Sequence, residues 1–535
     1  ERFTMLKLLL GGSGSGKTTL LYQRIRARAE AGEKSILLVP EQFTSSTEGR
    51  IHREMGDALS GLVESFSFTS LAEHILSAEG GSAVQTLSDS GRAVLVRRAL
   101  EELQDNVHYY YRHRRSAAFC QMAAETIDEL KSAGLSGQQL YELAQDCGTD
   151  SAKLSELALI FQGYETLLAG TGMDPSDRLE LAASRLEAAL ARGELPEFLR
   201  DRAVFIDEFD TFNAPKKRLM GALLTSLPTV TVALCDDGTP LVPGDMSLFS
   251  GAKQVAAQLR QLARRNGTAV AVPELLRRDV RHADAPGLAA AAQLLAAGRC
   301  DPPPACPEIK LFAAPSREEE ARAAAAAIRR LMRQGVRCGK VAVVCRDISK
   351  YRAAVKYEFR MADIPLYCDE PTTPEFSAPA TAVRCLLAIA RGAELTEQLT
   401  TLAKTGLCAL TEEEVCALEN YAYTWSPNAA AWRAPFEKNP RGFGDVEPTD
   451  EDRENLARAE KARVLLITAA DGLRAKLRSA NAEQMSRALY FCLKELGAED
   501  AQTAQVEAIR VERGIPAAEE AAREWNVVMG LLDEM

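Results

Sequence analysis

A glycine-rich stretch near the amino end of the chain matches a phosphate-binding loop. The sequence GGSGSGKT fits the pattern G-x-x-x-x-G-K-[ST], and an apolar run precedes it. Glycines let backbone N–H groups converge on phosphate oxygens, and the amino end of the following helix adds its dipole. The lysine reaches the β- and γ-phosphates, and the threonine hydroxyl suits Mg²⁺. The predicted ATP–Mg²⁺ loop comprises Gly11, Gly12, Ser13, Gly14, Ser15, Gly16, Lys17 and Thr18.

A second apolar run ends in two carboxylates that complement this loop. In AVFIDEF, Asp207 and Glu208 follow residues typical of a buried strand. Asp207 is predicted to hold Mg²⁺ through water, and Glu208 is predicted to act as the catalytic carboxylate that polarises the attacking water. An arginine should also reach the γ-phosphate. The candidates are Arg277, Arg278, Arg281 and Arg346.

The separation of the two motifs distinguishes classes of phosphate-loop protein. Lys17 and Asp207 lie 190 positions apart (207 − 17), whereas small nucleotide kinases place the two much closer. Apolar residues between them recur at intervals of three and four, which is typical of helices. Such a helical insertion suits a superfamily 1 helicase core, in which a helical subdomain interrupts the first motor domain.

The predicted fold class is therefore α/β, superfamily 1 helicase-like, with P-loop RecA-like parallel sheets and large helical insertions. A proline-rich linker from Cys300 precedes a second α/β unit, in which KVAVVCRD and PLYCDE are predicted strands and a further strand follows the linker. The last segment stops in mid-helix, so we expect a fragment cut before its second sheet is complete. The predicted domains are 1–85 with 200–298 (first RecA-like domain), 86–199 (helical insertion), 305–377 (start of the second RecA-like domain) and 378–535 (second helical insertion).

One expected motif is missing, which leaves three functions open. A working motor of this class carries a glutamine-bearing motif after the Asp207 strand, but LCDDGTPLVPGDMSLF offers only Asp236 and Asp237 at that place. The chain is either a DNA-scanning subunit that retains a nucleotide site, an autonomous ATP-driven DNA translocase, or an unrelated P-loop kinase. The missing glutamine favours the first over the second, and the spacing of the motifs disfavours the third.

Composition limits the expected surface charge, cellular location and metal content of the protein. The net charge of −11 argues against a surface coated in positive charge, although a local basic channel is compatible with it. No apolar run approaches the roughly 20 residues that a membrane span needs, and no export signal is evident, so a cytoplasmic location without membrane contact is expected. The 12 cysteines include no C-x-x-C pair, so a metal or iron–sulfur site built from this chain alone is not expected.

Five stretches in order give the chain a family resemblance. LLLGGSGSGKT, ILLVPEQFT, ESFSFTSLA, FIDEFDTF and KVAVVCRD with KYEFRMADIPLYCDE together resemble the AddB/RexB family, the B subunit of the ATP-dependent helicase–deoxyribonuclease that processes double-strand DNA breaks in bacteria. Members are about twice this length. The resemblance covers the helicase-like half and implies that the nuclease domain and the cysteines of a 4Fe–4S cluster belong to the missing carboxyl-terminal half.

The resemblance also implies partners and DNA-contacting residues. Family members form a heterodimer with the A subunit, which carries the main motor, and scan the emerging 3′ single strand for the recombination hotspot Chi. The positions that match the family's reading residues are Glu41, Gln42, Thr44, Phe68 and Phe209. Amides and hydroxyls can bond base edges, and aromatic rings can stack on bases. Core packing of Phe66 and Phe68, and a helix cap or loop hydrogen bond at Gln42 and Thr44, are the alternatives.

The chain departs from the family pattern at three positions. Some members carry a basic and an aromatic residue where this chain has Ser70 and Glu73, and others carry glycine in place of Glu208. The first two differences imply altered sequence reading, and Glu208 implies that more ATPase chemistry is retained. Separately, NVHYYYRHRR in the helical insertion is either a contact for a DNA backbone or a solvated loop.

Overall fold

The structure, a computed structural model, describes residues 4–78, 86–298, 305–368, 374–444 and 447–534. The chain divides into two compact units, Glu1–Phe312 and Ala313–Met535. Residues 300–304 of the predicted linker lie outside the described residues. Among the described residues, no helix is both long and apolar enough to span a lipid bilayer.

The first unit is built on a parallel sheet, as its short apolar runs predict. The strand order is β3-β2-β4-β5-β1-β6, and β7 also pairs with β1. Strands β2 and β4 are buried along their whole length. This explains why apolar residues follow one another in SILL and AVFI instead of alternating with polar residues. The strands are β1 (Met5–Gly11), β2 (Ser35–Leu38), β3 (Val63–Phe66), β4 (Ala203–Ile206), β5 (Thr229–Cys235), β6 (Ala269–Val270) and β7 (Glu274–Leu276).

Helices cover both faces of this sheet and form the insertion between β3 and β4. A short 3₁₀ turn, Glu41–Phe43, precedes α2. The helices are α1 (Lys17–Glu30), α2 (Thr44–Ser60), α3 (Phe68–Ala78), α4 (Asp89–Glu102), α5 (Ala117–Ala133), α6 (Gly137–Ala144), α7 (Ser151–Thr171), α8 (Pro175–Ala191), α9 (Ala214–Ser226), α10 (Ser250–Arg265) and α11 (Pro286–Ala297). Helices α3, α8, α9 and α10 pack on one face and α1 and α2 on the other, while α4, α5 and α7 share a separate apolar core.

A buried ionic cluster ties the helices of the insertion together. Lys131 on α5 lies 2.8 Å from carboxylate oxygens of Asp174 and of Asp177. The hydroxyl of Tyr164 on α7 donates to the other oxygen of Asp174 at 2.6 Å. The side chains of Lys131 and Asp174 are 8% and 2% exposed. Burial lowers the pKa of Lys131, but its hydrogen bonds to both carboxylates outweigh that effect and raise the pKa.

The regular secondary structure of the second unit, within its described residues, is helical. Its main core surrounds the fully buried Trp432, and a smaller core lies between the first two helices. The helices are α12 (Arg317–Arg333), α13 (Ile348–Met361), α14 (Ala378–Ala390), α15 (Leu395–Lys404), α16 (Glu412–Trp425), α17 (Asp450–Leu477), α18 (Ala482–Glu495), α19 (Ala498–Arg513) and α20 (Ile515–Glu534).

The strands predicted in this second α/β unit are wrong for the described residues. Residues 309–313, 341–345 and 365–368 are not assigned to strands, and the sheet pairings described all lie within the first unit. Val344 is 91% exposed and Leu311 fully exposed. A strand needs a neighbouring backbone for its ladder of hydrogen bonds, and the described part of this unit provides none. An apolar β-rich run alone therefore did not suffice to predict a sheet.

Candidate nucleotide-binding site

The candidate residues converge because the sheet is parallel. Gly11 at the end of β1 lies opposite Cys235 at the end of β5, and Leu38 of β2 lies opposite both Ile206 of β4 and Phe66 of β3. The loops that follow these strands therefore emerge at one edge of the sheet, the usual ligand edge of open parallel sheets.

The phosphate loop has the backbone that its glycines permit. Gly14 and Gly16 have φ angles of 81° and 89°, a region that side chains disfavour. A Cβ atom at Gly14 would also lie 2.7 Å from Asp279 and 2.9 Å from Arg281, whereas a Cβ atom at Gly12 or Gly16 would meet nothing within 4 Å. The loop is therefore closely packed at Gly14 and open at Gly12 and Gly16. Helix α1 begins directly after the loop, at Lys17.

Lys17 is folded onto its own loop in this structure. Its Nζ donates to the carbonyl oxygens of Gly11 at 2.7 Å and Gly12 at 2.9 Å. Burial lowers the pKa of Lys17, partly offset by Cys235 and Asp207. The buried hydroxyl of Ser15 has no hydrogen-bond partner among the described residues. An anion would satisfy both groups, because each can donate to a phosphate oxygen.

Asp207 and Thr18 meet in this cleft, as expected of residues that share a metal ion. Asp207 is 6% exposed. Burial raises the pKa of Asp207, while hydrogen bonds from the Thr18 hydroxyl and from the Glu208 backbone N–H oppose the increase. The described residues contain no group of three or more His, Cys, Asp or Glu side chains suited to a metal. Two protein oxygens fit Mg²⁺, which usually completes its octahedron with water and substrate phosphates.

Glu208 lines the same cleft in a strained conformation. Its φ angle is 65°, which costs a non-glycine residue roughly 1–2 kcal/mol. Burial raises the pKa of Glu208, and the neighbouring charge of Asp207 adds to the increase, whereas Arg50 opposes it. A raised pKa suits a group that accepts a proton from water. Glycine would adopt this backbone without strain.

We expect Glu208→Gly to raise the free energy of unfolding by about 0.5–1 kcal/mol, because relief of the left-handed strain exceeds the entropic cost of glycine. The same change should lower any ATP turnover by at least about tenfold, because the carboxylate is lost. Urea unfolding and a phosphate-release assay measure the two effects. Glu208→Gln is the matched control, since it removes the charge but keeps the strain. A glycine variant less stable than the glutamine variant would contradict the strain argument.

Of the three candidate arginines in the first unit, the structure brings Arg281 to the loop. The backbone N–H groups of Val280 and Arg281 donate to the Gly14 carbonyl at 2.9 and 3.1 Å, and the Arg281 guanidinium donates to the Ser13 hydroxyl at 3.3 Å. Arg281 lines the cleft, whereas Arg277 and Arg278 are exposed on the same segment and do not line it. Arg346 belongs to the other unit.

Two basic residues at this edge had no recognisable sequence signal. Arg50 on α2 lines the cleft, and its guanidinium lies 4.4 Å from the ring centroid of Tyr22. Lys253 on α10 organises the loop where the glutamine motif was expected: its Nζ lies 2.7 Å from the Thr239 hydroxyl and 3.3 Å from Asp237. Both residues arrive from helices distant in sequence, so no local pattern marks them.

The turn after β2 presents its polar residues to solvent. Glu41 and Gln42 are exposed, and Phe43 between Gln42 and α2 is 36% exposed. The Thr44 hydroxyl donates to the Glu41 carbonyl, which is the loop hydrogen bond named above as its alternative. Gln42 therefore remains available to a ligand, and Phe43 is an exposed aromatic residue that the sequence motifs did not mark.

The stacking role predicted for Phe68 does not fit the structure. Phe68 is 2% exposed, with its ring edge-on to Phe209 and Phe212 at centroid distances of 5.2 and 5.9 Å. A base needs a free ring face, and Phe68 has none, so core packing explains it. Phe209 is 9% exposed and belongs to the same core, although it also lines the cleft.

The two departures from the family pattern at Ser70 and Glu73 have structural roles. The Ser70 hydroxyl accepts from the Ser67 backbone N–H at 2.8 Å and so stabilises the start of α3. Glu73 accepts from Arg178 of α8 at 2.9 Å. Both side chains are engaged within the protein, and neither duplicates the chemistry of a basic or an aromatic residue.

Comparison with known proteins gives a consistent result. The family model "ADDB, N-terminal" matches residues 8–290, just over half of the chain. Proteins from Desulforudis audaxviator and Moorella thermoacetica, each named as the B subunit of an ATP-dependent helicase/deoxyribonuclease, are 30% identical over 99% of this chain and 47% of their own length. The protein so named from Geobacillus kaustophilus is 29% identical with the same coverage. The chain thus spans about half the length of the curated relatives it matches.

Proposed function

Because this chain belongs to the AddB family, we propose that it forms the helicase-like, nucleotide-binding part of the B subunit of an ATP-dependent helicase–deoxyribonuclease for double-strand break processing and recombinational repair. One observation carries the nucleotide site: the Thr18 hydroxyl donates to Asp207 and so joins the phosphate loop to a carboxylate of its cleft, which Glu208 and Asp210 also line. Bound ATP–Mg²⁺ would supply an electrophilic γ-phosphorus and a partly neutralised triphosphate.

The chain's own residues have distinct tasks in this proposal. Loop backbone N–H groups and the start of α1 bind phosphate oxygens, and Lys17 exchanges its two carbonyl partners for them. Thr18 and Asp207 hold the metal ion. Arg281, already anchored to the loop, supplies a second positive charge for the triphosphate. Glu208 orients water and accepts its proton.

A second candidate function is an autonomous superfamily 1 translocase. The positions of Glu208 and Arg281 in the cleft favour it, since they provide the carboxylate and the arginine that ATP hydrolysis requires. The loop organised by Lys253 in place of the glutamine motif favours the first candidate, in which the A subunit supplies the main motor. An unrelated P-loop kinase does not agree with membership of the AddB family.

We further propose that the sheet edge beside the cleft scans the 3′ single strand for Chi. Glu41 and Gln42 are exposed there, and Phe43 offers a partly exposed ring next to them. Thr44 shapes this turn through its hydrogen bond to Glu41, and Phe209 lines the neighbouring cleft. The A subunit is the expected partner, and the whole assembly would act in the cytoplasm.

For the scanning role, we expect Gln42→Ala to reduce the hotspot response of the full-length heterodimer by about tenfold, the effect of losing one base-reading amide. Bulk unwinding should stay within about twofold, because phosphate contacts are unaffected. Unwinding and cleavage of duplexes with and without the hotspot measure both effects. Gln138→Ala, an exposed glutamine on α6, is the matched control. A parallel loss of response and unwinding in Gln42→Ala alone would refute a reading role.

A further inference from the structure

A cluster of arginines lies on the helical insertion, between α4 and α5, and Arg112 in it donates to His113 at 3.2 Å. The segment is 108–115, with a short 3₁₀ turn at Tyr111–His113. Arg112, Arg114 and Arg115 form no ion pair with a carboxylate among the described residues, although Arg112 and Arg115 are exposed and the chain carries a net charge of −11. The nearby exposed arginines behave differently.

Those neighbours, Arg97 and Arg98 on α4, each bond a glutamate one helical turn away, Glu101 at 3.2 Å and Glu102 at 3.0 Å. Because the three clustered arginines lack carboxylate partners among the described residues, their positive charge is available to an anionic ligand. The pairing of the two α4 arginines also provides an internal comparison.

Backbone hydrogen bonds to a residue of α7 hold this segment in place. The carboxylate of Glu156 on α7 accepts the N–H groups of His108, Tyr109 and Tyr110 at 2.8–3.2 Å. The Tyr110 ring stacks on Phe119 of α5, with centroids 5.4 Å apart. The two Glu156 oxygens thus accept amides, and among the described residues Glu156 forms no ion pair with the arginines.

The side chains of this segment combine cations with aromatic rings, and Arg114 among them is half-buried. The Arg114 guanidinium lies 3.9 Å from the ring centroid of Tyr111 and donates to the Tyr111 carbonyl at 3.1 Å. Tyr109 is 52% exposed. Helix α5 begins immediately afterwards, capped by Ser116, so its amino end adds positive partial charge beside the arginines.

We infer that this segment forms a second binding site for single-stranded DNA. We name the site the aromatic–arginine surface, and it comprises Tyr109, Arg112, Arg114 and Arg115. Guanidinium groups fit phosphates with two parallel hydrogen bonds, and an exposed ring can stack on an unpaired base, which a duplex or an acidic peptide does not offer. This inference rests on the proposed function, because it assumes that the chain handles DNA. It adds a contact on the helical insertion, away from the sheet edge that carries Gln42.

The test is binding of a fluorescent oligothymidylate of roughly 20 nucleotides by the 535-residue chain, followed by anisotropy between about 50 and 200 mM KCl. We expect Arg112→Gln/Arg115→Gln to weaken binding about tenfold at low salt. The slope of log Kd against log salt should fall by about 1.4, since each lost phosphate contact on a single strand accounts for about 0.7. Tyr109→Ala should weaken binding about fivefold or more without changing the slope.

The control is Arg97→Gln/Arg98→Gln, which removes the same charge from the same insertion and should change Kd less than about twofold. Equal weakening by the two arginine pairs, or by neither, overturns the inference, as does equal competition by polyglutamate of the same charge. If the unmodified chain binds no oligothymidylate, the proposed function itself fails. If it binds, and Gln42→Ala weakens binding while the Arg112 and Arg115 pair does not, only this inference fails.

Discussion

Lys17→Ala is expected to weaken binding of ATP–Mg²⁺ by about 100-fold or more. The Lys17 amine is the loop's own cation, and two charge-assisted hydrogen bonds to phosphate oxygens contribute roughly 3 kcal/mol or more. The fold should persist, because the Gly11 and Gly12 carbonyls that accept from this amine also accept backbone N–H groups, of Asp236 at 3.2 Å and of Ser15 at 3.3 Å. Titration calorimetry measures the affinity, and circular dichroism checks the fold.

Lys34→Ala, an exposed lysine before β2, removes an equal charge and should bind as the unmodified chain does. Unchanged affinity in Lys17→Ala would show that the loop is not the nucleotide site. ATP hydrolysis stimulated by single-stranded DNA then separates the two candidate functions. Negligible turnover with measurable binding supports a scanning subunit with a retained site. Several turnovers per second, abolished by Lys17→Ala, would support the autonomous translocase, with Glu208 and Arg281 completing its site.

Lys131→Met is expected to destabilise the first unit by about 3–5 kcal/mol, because it leaves Asp174 charged, buried and without its cation. The pKa of Lys131 is raised in the folded protein. Its contribution is therefore complete below the ordinary lysine pKa of about 10.4 and is lost only as the pH rises through the folded value. Thermal unfolding near neutral pH, compared across variants at one scan rate, measures the loss.

Two further variants test the cause of this loss. Lys153→Met alters an exposed lysine on α7 and should change stability by less than about 0.5 kcal/mol. Adding Asp174→Asn and Asp177→Asn to Lys131→Met should recover part of the stability, because no uncompensated charge remains. A Lys131→Met protein as stable as the Lys153→Met protein would show that the cluster is not a buried ion pair in solution.

The sequence predicted those parts of the fold that depend on local patterns. The P-loop spacing predicted a strand, a turn and a helix around Lys17, and the AVFI run predicted a strand directly before Asp207. Both are confirmed. The same rule failed at residues 341–345, where the run is equally apolar but no neighbouring strand exists in the described unit. Strand formation depends on partners that are distant in sequence, and a single segment does not reveal them.

The site residues also divide into those that a local sequence motif predicted and those that depend on the packing of distant segments. Thr18 and Asp207 were predicted from motifs and lie together. Arg50 and Lys253 were not predicted, because each reaches the cleft or its neighbouring loop from the middle or start of a helix with no motif of its own. Phe68 was placed on the DNA by resemblance, yet burial decides its role, and burial depends on the packing of Phe209 and Phe212 around it.

Helix α2 begins at the exposed turn of Glu41–Phe43 and carries Arg50 into the cleft about two turns later, roughly 9 Å along its axis. The part of α2 before the non-helical residue Gly56 thus reaches both proposed ligands, with its first residue at the exposed turn and Arg50 in the cleft. If ATP displaces Arg50 and with it the turn, thermodynamic reciprocity follows: the factor by which nucleotide changes the affinity for DNA equals the factor by which DNA changes the affinity for nucleotide. In that case nucleotide binding alone, without any ATP hydrolysis, would change the affinity of the chain for single-stranded DNA.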